Sequence, residues 1–243
     1  MTPPSSPELF RVLDETWPPA RFVEQPPWML RAGAGGGQRV SAATAIAEVC
    51  EHDIERAEAG MRALDQHPLF MLRPGEDALD QWLETRGYDI VDPVAIYLTP
   101  IPSEFQTTAE IAIHPSWPPN TQTLALWADG GIGPARIAVM ERATGPKTAL
   151  VARDDQTCLG VAFVAISEGI AMLHALEVSP SARRRRLGTA LMQAAFRWAA
   201  TNKAAWLSLM VTRANIPANE LYRGLGMHEV DAYHYRRAPQ AKL

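Results

Sequence analysis

An α/β fold with a mixed sheet is predicted by two stretches of the chain. In the first, residues 170–178 form a run rich in apolar side chains that stops at Ser179-Pro180, the pattern of a buried strand followed by a turn. Beyond the turn, Leu187, Leu191, Ala194, Ala195 and Trp198 stand at i, i+4, i+7, i+8 and i+11, the apolar stripe of a helix packed on a sheet. A second buried strand follows at residues 204–211. In the second stretch, residues 148–153 and 157–166 read as an antiparallel pair turning at Asp154-Asp155.

The remaining elements follow in order. Residues 9–16 suggest a short helix, ended by Trp17-Pro18-Pro19, and Pro26-Pro27 breaks the chain again. Residues 28–31 and 39–43 look like strands joined through the glycine-rich segment 33–37. No helix opening with Lys-Ser/Thr follows those glycines, so a hairpin turn is expected rather than a phosphate loop. Residues 47–64 are helical in pattern, 68–71 a short apolar strand, 78–86 a helix closed by Gly87, and 88–98 a strand. Pro100, Pro102 and the polar residues 103–108 make a linker. After it come a strand at 109–113 and helices at 121–127 and 134–142, separated by the turn Asp129-Gly130-Gly131-Ile132-Gly133. Residues 229–237 alternate enough to close the sheet.

Composition bounds the function. A chain of 243 residues, 47% hydrophobic, can bury a large core and has room for one large or two small domains. A net charge of −4 argues against a chain-wide nucleic-acid binder. Cys50 and Cys158 are far apart with no CxxC spacing, so both are expected as reduced thiols, Cys158 buried in a strand. The start lacks a basic segment with an apolar core, and no stretch approaches eighteen uninterrupted apolar residues. A cytoplasmic protein without membrane contact is therefore expected. The six histidines show no HExxH or paired ligand spacing, and no metal is expected.

The chemistry centres on the loop between strand 170–178 and its helix. There Arg183, Arg184, Arg185 and Arg186 surround a helix N-terminus with free backbone N–H groups, an anion site in outline. The run R-R-R-R-L-G resembles the acetyl-CoA pyrophosphate loop of the GNAT superfamily of N-acetyltransferases, Gln/Arg-x-x-Gly-x-Gly/Ala. Arg183 and Gly188 match its ends, and Val178-Ser179-Pro180 matches the V-x-P that precedes it. Arg186 stands where the first glycine belongs, and can offer its N–H to a phosphate if its φ is negative and its side chain points outward. Further on, N-I-P-A-N-E-L-Y-R-G-L-G-M at residues 215–227 resembles the second signature, N-x-x-A-x-x-L-Y-x-x-L-G-F, with Met227 in place of the final aromatic. The resemblance is strong over residues 148–237. Residues 1–105, where Arg86-Gly87-Tyr88 sits at the place of L-G-F, read as a degenerate GNAT-like domain that shapes the substrate cleft, or as an unrelated α/β extension. Residues 106–243 read as the catalytic domain.

The resemblance implies an acetyl-CoA-dependent transfer to a primary amine, by direct attack in a ternary complex. Arg183 to Arg186, Leu187, Gly188 and Thr189 would hold the diphosphate through main-chain N–H groups and the helix dipole. Leu176 and Val178 would bind the pantetheine arm through their main chain, where an N–H faces the thioester oxygen. Asn215 would cap the following helix and contact the cofactor. Tyr222 matches the tyrosine that protonates the departing thiolate. The two ordinary pKa values, about 10 for a phenol and about 8.5 for a thiol, are read as favouring that transfer.

A general base is needed because a free amine is mostly protonated at neutral pH. Glu177 leads, for its adjacency to the thioester position. His174 lies an odd number of residues away, hence on the opposite strand face, and His228 and His234 follow with weaker cause. Two further readings come from other classes. One is a non-catalytic acyl-CoA-binding sensor or scaffold. The other, a nucleic-acid binder using the four arginines, has thin support. The acceptor is expected to be a small-molecule or peptide amine, and the protein a monomer or homodimer.

Overall fold

A computed structural model describes residues 2–103, 111–155 and 157–239. Helix α1 (Ser6–Thr16) starts at Ser5, which forms a capping box with Glu8. Strands β1 (Arg21–Gln25) and β2 (Trp28–Ala32) form a hairpin, and β3 (Thr44–Ala45) joins the far edge of β2. Then follow α2 (Asp53–Ala63), β4 (Leu69–Leu72), α3 (Asp77–Thr85) and β5 (Asp89–Pro100). The second part of the chain runs β6 (Ile113–Ser116), α4 (Thr121–Asp129), α5 (Pro134–Arg142), β7 (Lys147–Asp154), β8 (Thr157–Ser167) and β9 (Ile170–Val178). It ends with α6 (Leu187–Thr201), β10 (Trp206–Thr212), α7 (Ile216–Gly224) and β11 (His228–Arg237).

Eight strands make one mixed sheet in the order β4-β11-β5-β10-β9-β8-β7-β6, parallel only between β9 and β10. The fold is thus mixed α/β, as expected. One apolar face packs against α1, α4 and α5 through Leu9, Leu13, Trp127 and Val139; the other packs against α6 and α7 through Leu187, Leu191, Ala195 and Tyr222. A third cluster, with Trp28, Ile54, Met61 and Phe70, fills the space under the small β1-β2-β3 sheet.

Two local expectations are corrected. The hairpin turns at Pro26-Pro27, with residues 21–25 as its first strand, and the glycines lie after its second strand. Instead of turning a hairpin, segment 33–37 folds back into a one-turn 3-10 helix, Gln38–Val40. A Cβ on Gly33 would lie 2.0 Å from Ser41 Oγ, and one on Gly36 2.6 Å from Val139 of α5. Helix α2 starts at Asp53 rather than near Ala47, because the Asp53 carboxylate accepts the N–H of Cys50 at 2.9 Å and stops the helix there. The sheet is continuous across the two parts of the chain. Strand β5 lies between β10 and β11, and pairs with β10 from Trp206↔Pro100 to Thr212↔Val94. The expected linker and the start of the 109–113 strand fall largely outside the described residues, where β6 begins at Ile113.

Candidate active site

The site begins where the parallel ladder stops. Strands β9 and β10 pair from Ile170↔Trp206 to Leu173↔Leu209 and no further, although β9 runs on to Val178 and β10 to Thr212. Beyond Leu173 the two strands splay, leaving one backbone edge of residues 174–178 without a strand partner among the described residues. Leu176 and Val178 stand on this free edge, half-buried.

A bulge shapes the strand at this point. Val161 faces Glu177 and Phe163 faces His174, so three steps on β9 match two on β8. Ala175, the extra residue, has φ 51°, and its carbonyl accepts the indole N–H of Trp127 at 2.9 Å. The bulge overturns the alternation argument for the two base candidates. His174 packs on Trp17 of the α1 side, and Glu177 lies against Gly130 between α4 and α5, where an added Cβ would meet its Cδ at 2.5 Å. The two side chains therefore share one face.

Their environments differ. His174 is 3% exposed, with its Nε2 3.0 Å from the Thr16 hydroxyl. That hydroxyl donates to the Val12 carbonyl at 2.7 Å, so it accepts from His174; Nε2 carries the hydrogen and Nδ1 the lone pair. Nδ1 has no partner. Burial, with the charge of Arg39 added, holds this imidazole well below its ordinary pKa and hence neutral. Glu177 is half-buried, and burial raises its pKa against the opposing charges of Arg183 and Arg136. A carboxylate raised in this way is a better proton acceptor than a solvated one. His234 contacts Asp80 at 2.9 Å and His228 is exposed on β11; neither lies at the splayed edge.

The arginine loop leads into α6. The first helical bond runs from Ala190 N–H to the Arg186 carbonyl, 3.0 Å, and among the described residues no side chain caps the end. The N–H groups of Leu187, Gly188 and Thr189 therefore stay free for an anion. Arg186 has φ 58° and ψ 19°, so the negative φ required of it above is not met; it adopts the left-handed conformation for which a glycine would be better suited. Arg184 does likewise at φ 60°. All four arginine side chains are exposed and make no ion pair among the described residues. A Cβ on Gly188 would lie 3.0 Å from Leu221 of α7, so this glycine permits the two helices to approach.

Helix α7 carries the second signature. The Asn215 side chain caps it, accepting from Ala218 N–H at 3.3 Å. Tyr222 is 5% exposed with its ring 5.8 Å from that of Tyr97, and its hydroxyl has no hydrogen-bond partner among the described residues. Burial pushes its pKa up to about 12; Arg39 opposes the rise and Glu177 adds to it. The order of acidities noted above works the other way. A phenol is a weaker acid than a thiol, so full transfer to a free thiolate is uphill, and burial widens the gap. Tyr222 is therefore suited to donate a hydrogen bond to a sulfur as charge develops, and stays protonated throughout the working pH range.

Two groups escape sequence reading. Asn219 accepts from the Tyr97 hydroxyl at 3.1 Å and donates to the carbonyls of Thr212 at 3.0 Å and Asn215 at 2.8 Å, tying β5, β10 and α7 together. Arg39 reaches from the glycine segment to the Met210 carbonyl at 2.6 Å and the Tyr233 hydroxyl at 3.3 Å. It helps line a cleft of ≈ 390 Å³ with Trp17, Arg136, His174, Ala175 and Thr212. Asn219 lies inside the 215–227 run but at a position its pattern leaves open, and Arg39 reads from the sequence only as the start of a strand beside the glycine cluster. No helix among the described residues is long and apolar enough to cross a membrane, and both cysteines are free, Cys158 buried in β8.

Comparison with known proteins agrees with this geometry. Residues 109–227 match the family model described as acetyltransferase (GNAT) family. An uncharacterised N-acetyltransferase of Bacillus subtilis, YobR, is 23% identical over 240 residues, covering 94% of this chain and 97% of its own. Among solved structures, a GCN5-related N-acetyltransferase from Kribbella flavida superposes with a TM-score of 0.68 at 18% identity, covering 97% of this chain and 96% of its own. A functionally unknown conserved protein from Staphylococcus epidermidis gives 0.69 at 12% identity, covering 89% and 92%. The splayed strands, the free helix N-terminus and the capped signature helix all lie within the stretch 109–227, the part of the chain that is similar to the GNAT acetyltransferase family.

Proposed function

We propose that this protein moves the acetyl group of acetyl-CoA to a primary amine by direct attack in a ternary complex. The observation that carries the reading is the meeting of two features: an unpaired β9 edge beyond Leu173 and an uncapped α6 N-terminus at the arginine loop. A diphosphate fits the free N–H groups of Leu187 to Thr189, with Arg183 to Arg186 neutralising its charge. An extended amide arm fits the β9 edge at Leu176 and Val178, where a main-chain N–H serves as oxyanion donor. Acetyl-CoA supplies the activated thioester. Glu177 takes the amine proton, directly or through water, and Tyr222 hydrogen-bonds the leaving sulfur. Asn215 holds the start of α7 and so the position of Tyr222. Residues 1–105 are a worn GNAT-like unit that walls the acceptor cleft without holding the cofactor, a role supported by the presence of Trp17 and Arg39 in its lining.

Calorimetric titration with acetyl-CoA and with desulfo-coenzyme A, followed by an amine screen for coenzyme A release, tests the reading. Micromolar binding that needs the diphosphate, with turnover of at least one amine, is expected. Binding without turnover across the screen would leave an acyl-CoA sensor, and absence of binding in both wild type and Arg186→Gly would end the cofactor assignment.

A further inference from the structure

Arg39 is a cation of the cleft that the proposed mechanism does not use. It stands on the 3-10 turn after the glycines, where φ values of 78° at Gly35 and 97° at Gly37 bend the chain toward α5. Its Nη2 donates to the Met210 carbonyl and its Nε to the Tyr233 hydroxyl, both uncharged acceptors. The Tyr235 hydroxyl is a further neutral contact of the guanidinium, and no carboxylate pairs with it among the described residues. A partly buried guanidinium held by neutral groups is incompletely compensated, and its remaining donors match a carboxylate in geometry.

Its position gives that charge, which no carboxylate offsets, a purpose. Arg39 and Ala175, the bulge residue at the splayed edge, line the same cleft, together with Thr212 from the facing end of β10. Arg136 adds a second guanidinium from α5, exposed at the cleft and close to Gly37, where an added Cβ would lie 3.4 Å from its Nε. Asp92, the one carboxylate among the lining residues, is exposed and pairs with neither arginine.

The geometry points to an acceptor that carries a carboxylate as well as its amine, a small amino acid-like molecule whose carboxylate is held by Arg39 while its amine reaches the β9 edge beside Ala175. This rests on the amine-acetyltransferase reading above and narrows it. A positive charge in the cleft also favours the neutral, nucleophilic form of the arriving amine. Polycationic acceptors meet like charge there and are selected against.

The test is a coenzyme A release assay with proteinogenic amino acids, each run beside its carboxamide and its decarboxylated amine. Binding of the N-acetylated acids and amides is measured calorimetrically in parallel. For the best acceptor, kcat/KM is expected to exceed that of its amide by at least about tenfold, the worth of one charge-assisted hydrogen bond. Arg39→Gln should raise KM for the acid about tenfold or more and collapse the acid-to-amide ratio, with acetyl-CoA affinity unchanged. Arg39→Lys keeps the charge and should retain part of that ratio, which separates recognition from loss of the Met210 contact. Preference for amides or simple amines overturns the inference and leaves the acetyltransferase reading standing. If no amine turns over, binding of the N-acetylated acids but not the amides, lost in Arg39→Gln, upholds the carboxylate site, and absence of such binding overturns it.

Discussion

Replacing Tyr222 by Phe separates its chemical role from its place in the core. The ring is 5% exposed and packs 5.8 Å from Tyr97, contacts that phenylalanine keeps. The hydroxyl makes no hydrogen bond among the described residues, so its loss leaves no orphaned partner and should shift the unfolding free energy by less than about 0.5 kcal/mol. The rate should respond differently. A neutral donor with its pKa pushed up to about 12 is present in full at any working pH, and removing a donor aimed at developing charge costs about 3 kcal/mol, or roughly a hundredfold in kcat. The assay is coenzyme A release at saturating acetyl-CoA, with affinity measured by calorimetry and stability by urea unfolding. A kcat within about threefold of wild type, together with a stability loss of about 2 kcal/mol, would refute the argument and leave Tyr222 as packing.

Other side chains of the site and the core carry further expectations. His174 has a folded pKa depressed by burial and by Arg39, so below the unfolded value of about 6.5 the unfolded chain binds the extra proton. Stability should therefore be full above that value and fall by up to about 1.4 kcal/mol per pH unit below it, a slope that urea unfolding should find reduced in His174→Gln. Arg186 sits at φ 58°; Arg186→Gly should be at least as stable as wild type, while Arg186→Val should lose about 1–2 kcal/mol by the same measurement. An added Cβ on Gly130 would stand 2.5 Å from Glu177 Cδ, so Gly130→Ala should displace that carboxylate and lower kcat in step with Glu177→Gln. A fall in Glu177→Gln but not in Gly130→Ala, with Glu177 seen displaced in a crystal structure, would separate position from role.

The sequence by itself determined the elements whose signals are local. The apolar stripe from Leu187 to Trp198, the Asn215 cap and the antiparallel pair at Asp154-Asp155 each depend on residues within a few turns of one another, and all appear where their spacing places them. The two motifs likewise marked out the uncapped α6 N-terminus and the position of Tyr222. Only the tertiary structure decided the rest. Nothing local signals the insertion of β5 between β10 and β11, because a strand's neighbours in a sheet depend on contacts across more than a hundred residues, such as Val94 with Thr212. The bulge at Ala175 reverses the alternation on β9 and brings His174 and Glu177 to one face, since a single extra residue changes parity without altering composition. The cleft proposed for the acceptor is decided in the same way: Arg39 comes from one part of the chain and Ala175 of the splayed edge from another, and only the folded chain brings them together.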